Sequence, residues 1–342
     1  MTITPATEPA TTGRPDLANG AAGEVMGASV GNSPVRGRSP GQLAWRRLRR
    51  DRVAMVSAII LALYVFLAIT GPLWLRLLGI SQNAQDNNLL DDSGAPLGRL
   101  GGMSSTHPFG VEPALGRDLL GQVLIGMRTS LGIAVAVTVA STIIGVVAGI
   151  TAGYARGWAD GAISRVMDLF LAFPTLLFLI AIIPVLVIKF EPDPNKSGNN
   201  VRLALLLILL TLFGWAGLSR LMRGQTVVLR DREFIEAARA MGAGSGHIIF
   251  KQLLPNLWAP ILISVSLNVP ALVTTTAALS FLGVGIQEPI PDLGRTLQKS
   301  VQWIGNDPMY FIFPGLVIVV LVLAFNLLGD SIRDALDPKS SR

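Results

Sequence analysis

Six apolar stretches alternate with polar segments along this chain, near Val53–Leu75, Ser130–Tyr154, Val166–Ile188, Leu203–Met222, Leu257–Leu282 and Phe311–Leu328. Crossing about 30 Å of hydrocarbon takes about 20 mainly apolar residues in a helix, which satisfies its own backbone polar groups inside lipid. The pattern predicts an all-α polytopic membrane protein with six transmembrane helices. Polar loops fall at 79–128, 189–200, 223–256 and 284–308.

Residues 1–40 are rich in Ala, Thr, Gly, Pro and Ser and hold few large apolar side chains. They bury too little surface to offset the entropy of ordering, so a disordered cytoplasmic tail is expected there. A basic arm with the first helix (41–78) follows, then an extracytoplasmic loop (79–128). A five-helix core (129–336) carries the loop 223–256, and a short cytoplasmic tail (337–342) ends the chain.

Composition sharpens this picture. Hydrophobic residues make up 51% of the 342 and charged residues 15%, with a mean hydropathy of +0.54, as expected of a chain lying mostly in lipid. The net charge of +6 belongs to orientation: the basic residues flank apolar spans without the aromatic interleaving of a nucleic-acid reader, so no nucleic-acid partner is expected. Arg46, Arg47, Arg49, Arg50 and Arg52 directly precede the first span. Attraction to anionic lipid, about 1 kcal/mol per charge, should hold that end on the cytoplasmic side. Six crossings then place both termini in the cytoplasm and 19 of the 28 Lys and Arg on that side. The expected location is the cell membrane, as a multi-pass protein in contact with lipid.

Catalytic chemistry finds no support in the residues. There is no cysteine and no Gly-x-x-x-x-Gly-Lys phosphate loop, which removes thiol chemistry and ATP hydrolysis by that route. His107 and His247 fall on opposite sides of the expected membrane, so they share neither a metal nor a triad. No catalytic residue, cofactor or metal site is expected. Ion-coupled carriers keep ionisable groups in mid-span, where each costs several kcal/mol, and none occurs at a span centre here. Asp168 comes nearest, a few residues inside the cytoplasmic end, where pairing with Arg165 or capping neighbouring helices is the expectation.

Two features bear on the membrane core. Gly145, Gly149 and Gly153 repeat at four-residue spacing on one face of the second span, which permits close helix contact within the bundle. Phe173-Pro174 in the third span, and Asn268, Pro270, Thr274, Thr275 and Thr276 in the fifth, interrupt apolar helices with proline and polar groups. Phe173, Pro174, Asn268, Thr274, Thr275 and Thr276 are therefore pathway candidates, with ordinary helix packing as the alternative.

The loop 223–256 carries most of the functional signal. Glu233 through Met241 are mostly strong helix formers, and Gly242 supplies a residue that tolerates a left-handed helix end. A second helix is expected from about His247, until Pro255 breaks it or opens the next span. Ala237, Ala238 and Ala240 are small enough to seat such an elbow in a groove of another protein. An amphipathic connector lying on the membrane is the other reading.

Glu236-Ala237-Ala238, Gly242, Ile249 and Leu254-Pro255 resemble the EAA signature of permease subunits in binding-protein-dependent ABC importers, although Gln252 stands where that signature has Ile. His107-Pro108-Phe109-Gly110, Gly116-Arg117-Asp118, Arg128-Thr129-Ser130-Leu131, Ser280-Phe281-Leu282-Gly283 and Asn326-Leu327-Leu328-Gly329-Asp330 extend the resemblance to the dipeptide, oligopeptide and nickel branch. The long N-terminal arm and extended first outer loop look like its C-type subunit. Val111-Glu112 departs from the usual Thr-Asp, and Gly121-Gln122 from Ser-Arg.

The resemblance implies a type I ABC importer permease architecture with a cytoplasmic coupling helix. Glu233, Glu236, Ala237, Ala238, Arg239, Gly242, Leu254 and Pro255 would couple it to the ATPases. Implied partners are a B-type permease, two ABC ATPase subunits that hold the ATP and Mg, and an extracytoplasmic substrate-binding protein. Peptides are the implied cargo, with nickel chelates, haem-like ligands or other small solutes as alternatives. An ATP-independent channel and a membrane scaffold are the readings of a different class.

Overall fold

The computed structural model describes residues 40–81, 83–98, 100–193 and 198–336. The expected tails at 1–40, save its last residue, and at 337–342 lie outside them. Helix α1 (Pro40–Arg50) carries the basic arm and stops where Asp51 leaves helical geometry (φ −78°, ψ 115°). Asp51 then caps α2 (Arg52–Leu77), accepting from the Val53 amide at 2.9 Å. After a long loop come α3 (Leu119–Ala155), α4 (Gly157–Ala172), α5 (Thr175–Phe190) and α6 (Asn199–Arg230). The elbow follows as α7 (Glu233–Ala240), α8 (Ser245–His247), a π-helical stretch (Ile248–Leu253) and α9 (Leu254–Asn256). Helices α10 (Trp258–Phe281), α11 (Leu293–Ser300) and α12 (Pro308–Leu336) complete the chain. Among the described residues there is no strand, only isolated bridges pairing Leu90 with Pro96 and Val111 with Asp118.

Helices α2, α3, α6, α10 and α12 are each long and apolar enough to cross a membrane. The expected third span differs from a single helix: α4 and α5 meet at an angle of 82°. Pro174 explains the break, since it has no amide to donate and forces Phe173 into extended backbone (φ −81°, ψ 133°). Six crossings result when the bent pair is taken as one.

Boundaries also move. Helix α3 starts at Leu119 rather than Ser130, because Asp118 accepts from the Gly121 amide at 2.8 Å and fixes the first turn. Helix α6 runs to Arg230, so residues 223–230 of the expected loop are helix. The loop 284–308 contains α11, which the expected spans missed; Asp292 caps it by accepting from the Arg295 amide at 3.0 Å.

The glycine face of α3 makes a close helix contact within the bundle, as expected, and the structure supplies the neighbour: α6. A Cβ added to Gly149 would stand 2.5 Å from the Ser219 carbonyl oxygen, and one on Gly153 would stand 2.6 Å from the Thr226 Cβ. Absence of side chains on α3 thus brings two backbones together and anchors the bundle. One buried cluster joins α2, α3, α10 and α12 around Tyr64, Leu119, Val273 and Leu321. Another ties α3 and α6 to the elbow and the start of α10 through Ile150, Met222, Ile235, Leu253 and Ile261. Large apolar side chains such as Ile59, Ile69, Val147 and Val319 remain exposed along the outer helix faces, surface that needs lipid or another subunit.

Candidate functional site

Helix α7 is short, and what holds it is one buried face and a defined stop. Ile235 and Ala238, three residues apart on one face, are buried at 0% and 3% exposure, and Ile235 packs among side chains at the ends of α3 and α6. At the other end Gly242 takes φ +84°, the Ala243 amide donates to the Ala238 carbonyl at 3.0 Å, and the Gly242 amide donates to the Arg239 carbonyl at 2.9 Å. These two reversed bonds satisfy orphan carbonyls and turn the chain sharply. Gly242 is therefore in the left-handed region that its position in the sequence called for.

The face turned outward carries Phe234 at 40% exposure and Met241 at 82%, together with Glu233, Glu236, Ala237, Arg239 and Gly242. Phe250 adds a further exposed aromatic ring from the second arm of the elbow. Ala238 belongs to the opposite face: its methyl packs inside its own domain instead of facing a partner's groove. The site thus presents a small apolar patch ringed by charge on a base that cannot slide.

The second arm departs from an ordinary helix. Ile248–Leu253 widens into π geometry, with Ile248 and Leu253 buried. Pro255 offers no amide to the ladder, and the Asn256 side chain donates to the Gln252 carbonyl one turn back, at 2.6 Å. Leu254 is half-buried and Pro255 exposed, and α10 begins after one non-helical residue.

Charged contacts brace the helix ends around the elbow. Arg156 donates to Asp231 at 2.6 Å, and Arg230 reaches the Gly153 carbonyl. Arg223 meets Asp160 through two nitrogens, at 2.5 and 2.8 Å. Asp168 pairs with Arg220 at 2.5 Å rather than with Arg165; the partner comes from the neighbouring helix. The Arg239 guanidinium lies 5.6 Å from the Tyr154 ring centre, tying α7 to α3.

The pathway candidates separate. An open groove of ≈ 400 Å³ brings Thr175 and Leu176, just after Phe173-Pro174, beside Phe213, Thr274 and Thr275. Phe173, Phe178 and Phe213 form an aromatic cluster there, with Phe178 and Phe213 centred 5.1 Å apart. Thr276 turns away, is 3% exposed and donates to the Leu272 carbonyl at 2.9 Å. Asn268 does not line the groove.

On the opposite face the structure assembles charged residues that the sequence scattered. Glu112 is buried and accepts from Arg117 Nε at 2.6 Å, Lys299 at 3.2 Å and the Tyr310 hydroxyl at 2.8 Å. Arg117 and Lys299 both also bond Glu288. Burial pushes the Glu288 carboxyl up, but Lys299 and Arg117 outweigh it and leave the group below the usual carboxylate range. At Asp292 burial pushes the carboxyl up and outweighs the hydrogen bonds from the Arg295 amide and Ser280 that pull it down. The result is a staple between the segment joining α2 to α3, the 284–308 loop and α12. His107 bonds Asp118 at 2.8 Å beside it, and Phe109 stacks on Phe313 with ring centres 4.3 Å apart. Glu112 entered the sequence reading only as a departure from a motif. Glu288 and Lys299 lie in a segment that also carries Asp292, Arg295 and Asp307, so no sequence signal set them or Tyr310 apart.

Comparison with known proteins agrees with this arrangement. The profile of the family described as binding-protein-dependent transport system inner membrane component matches residues 145–342, which include the elbow and its supports. A second profile, the N-terminal TM domain of oligopeptide transport permease C, matches residues 39–91. The dipeptide transport system permease protein DppC of Alkalihalophilus pseudofirmus is 38% identical over 88% of this chain and 90% of its own. The glutathione transport system permease protein GsiD of Shigella flexneri is 37% identical over 92% and 96%, and the oligopeptide transport system permease protein OppC of Escherichia coli is 37% identical over 89% and 93%. A glycine-locked elbow anchored on two membrane helices, in a chain matched over nine-tenths of its length, places this protein among the binding-protein-dependent transport system inner membrane components, as an ABC importer permease.

Proposed function

We propose that this chain is the C-type half of an importer for short peptides, with the elbow on the cytoplasmic side as the seat of an ATPase subunit. The observation that carries the reading is the division of α7 into a buried face, Ile235 and Ala238, and an exposed one, Phe234, Ala237 and Met241. A helix held that way transmits a push from a docked partner to α3 and α6 without being displaced. Relatives named for dipeptides, oligopeptides and glutathione support a peptide cargo.

In this reading a B-type permease completes the pathway and two ABC ATPase subunits supply energy from ATP and Mg bound on their own chains. An extracytoplasmic binding protein delivers substrate to the loops held by the Glu112 staple. This chain contributes no catalytic group. Its part is mechanical: closure of the ATPase pair moves the elbow, and the bundle turns from inward-open to outward-open. Both termini lie in the cytoplasm, by the charge of α1.

Affinity purification of the full chain in mild detergent, with mass spectrometry and an ATPase assay on what accompanies it, tests the reading. Co-purifying ATPases, a second permease and ATPase activity stimulated by peptide are the expected results. A chain recovered without any nucleotide-binding partner would overturn it.

A further inference from the structure

Helices α2 and α12 pack along most of their length, yet their outer sides leave a trough. Its half nearer the α1 end has a volume of ≈ 430 Å³ and is lined by Val53, Val56, Ile60, Val320, Leu323 and Leu327 over a floor of Ser57 and Ala324. The trough exists because that floor is small: both residues are buried, and neither side chain reaches outward. Arg52 stands at its mouth. Ile60 and Val320 also line a second cavity of ≈ 360 Å³ farther along the same helices, so the trough continues beyond mid-span.

From Arg52 to Ile60 the helix rises about 12 Å, close to one leaflet of an about 30 Å hydrocarbon layer. The half-trough is therefore apolar over one leaflet and cationic at the headgroup level. Arg49 and Arg50 lie within three residues of Arg52, and all three side chains are exposed. The one acid among them, Asp51, is occupied inward, accepting from the Val53 amide at 2.9 Å and the Ser331 hydroxyl at 2.7 Å. Trp45, exposed on α1 with Arg49 4.9 Å from its ring centre, adds an interfacial anchor at the same level.

We infer that the α2–α12 trough holds one acyl chain of an anionic phospholipid from the bilayer, with the headgroup phosphate on Arg52 and Arg49. Bound there, the lipid covers apolar surface on two helices at once and joins α1 to the membrane. The inference stands apart from the transport reading, because it uses neither the elbow nor a cargo.

Native mass spectrometry of the full chain, alone and assembled with its transporter, tests it with phosphatidylglycerol and phosphatidylcholine of identical acyl chains as probes. One phosphatidylglycerol per chain should be retained in preference to phosphatidylcholine. Arg52→Gln and Arg49→Gln should each weaken phosphatidylglycerol binding about fivefold and leave phosphatidylcholine unchanged. Val56→Trp, at an exposed rim position, should reduce both lipids while the protein elutes as a monodisperse species. Equal retention of the two lipids, indifferent to the arginines, would overturn the inference. Loss of the lipid on assembly with the second permease would also do so, by making the trough a subunit interface.

Discussion

Arg223 grips Asp160 with two nitrogens, Nε at 2.5 Å and Nη2 at 2.8 Å from the two carboxylate oxygens. The pair joins α6 to the first turn of α4, at the end of that helix opposite the 82° bend into α5. Both side chains are partly exposed, so the bond is screened; a double-mutant cycle of Asp160→Asn and Arg223→Gln should give a coupling of about 1 kcal/mol. Thermal unfolding of the four proteins in detergent measures it, and strict additivity would mean the pair is incidental.

Gly242 is strained for any other residue by its φ of +84° alone, since an added Cβ would meet nothing within 4 Å. Gly242→Val should therefore cost about 2 kcal/mol at the elbow and suppress peptide uptake. Gly242→Asn, which tolerates the left-handed region, should recover most of it. Uptake by the Val variant at the wild-type rate would contradict the turn geometry.

Ala238 and Ala237 should respond differently to the same change. Ala238→Asp places a carboxylate at a position only 3% exposed and should destabilise the bundle by about 3 kcal/mol or more. Ala237→Asp stands on the exposed face, so the protein should keep its melting midpoint while uptake and ATPase co-purification fall. Identical effects of the two variants on stability would show that the faces of α7 are assigned wrongly.

The Glu112–Glu288 staple should weaken in acid. Glu288 titrates below its ordinary 4.5 in the folded chain, so its contribution is present above that value and lost as pH falls through the folded one. Midpoints at pH 7 and pH 4, compared between wild type and Glu288→Gln, give the test. The wild type should lose more than the variant does, because the variant has no charge at that position to neutralise.

Gly149 has no room to spare. Its added Cβ would come within 2.5 Å of a backbone oxygen and 2.6 Å of Met222, and Gly149→Ala should cost about 1–3 kcal/mol. Gly161→Ala, where nothing lies within 4 Å, should leave stability unchanged or raise it slightly. A reversed order in a thermal-shift assay would contradict the helix contact.

Features governed by local chemistry were legible from the residues in order. Apolar length marked the crossings, the Gly145–Gly149–Gly153 spacing marked a close helix contact without naming its partner, and Gly242 marked the turn. What escaped depends on neighbours distant in sequence. Asp168 has Arg165 one turn away, yet bonds Arg220, because α6 lies alongside α4. Glu112 and Tyr310 are 198 residues apart, and no periodicity links them. The inward direction of Ala238 required knowing where α3 and α6 end. The bend at Pro174 could be foreseen as a break, but its 82° angle is set by how α4 and α5 pack on α6.

Helix α3 runs unbroken from its cap at Asp118 to the carbonyl of Gly153, which receives Arg230. Its hydrogen-bond ladder fixes those two points about 50 Å apart, one beside the Glu112 staple and the other beside the elbow. A rod of that length behaves as a strut: it tilts or turns about its axis, but it does not shorten. Rearrangement at one surface of the membrane must then reach the other as a change of angle, with the α3–α6 glycine contact as the fulcrum.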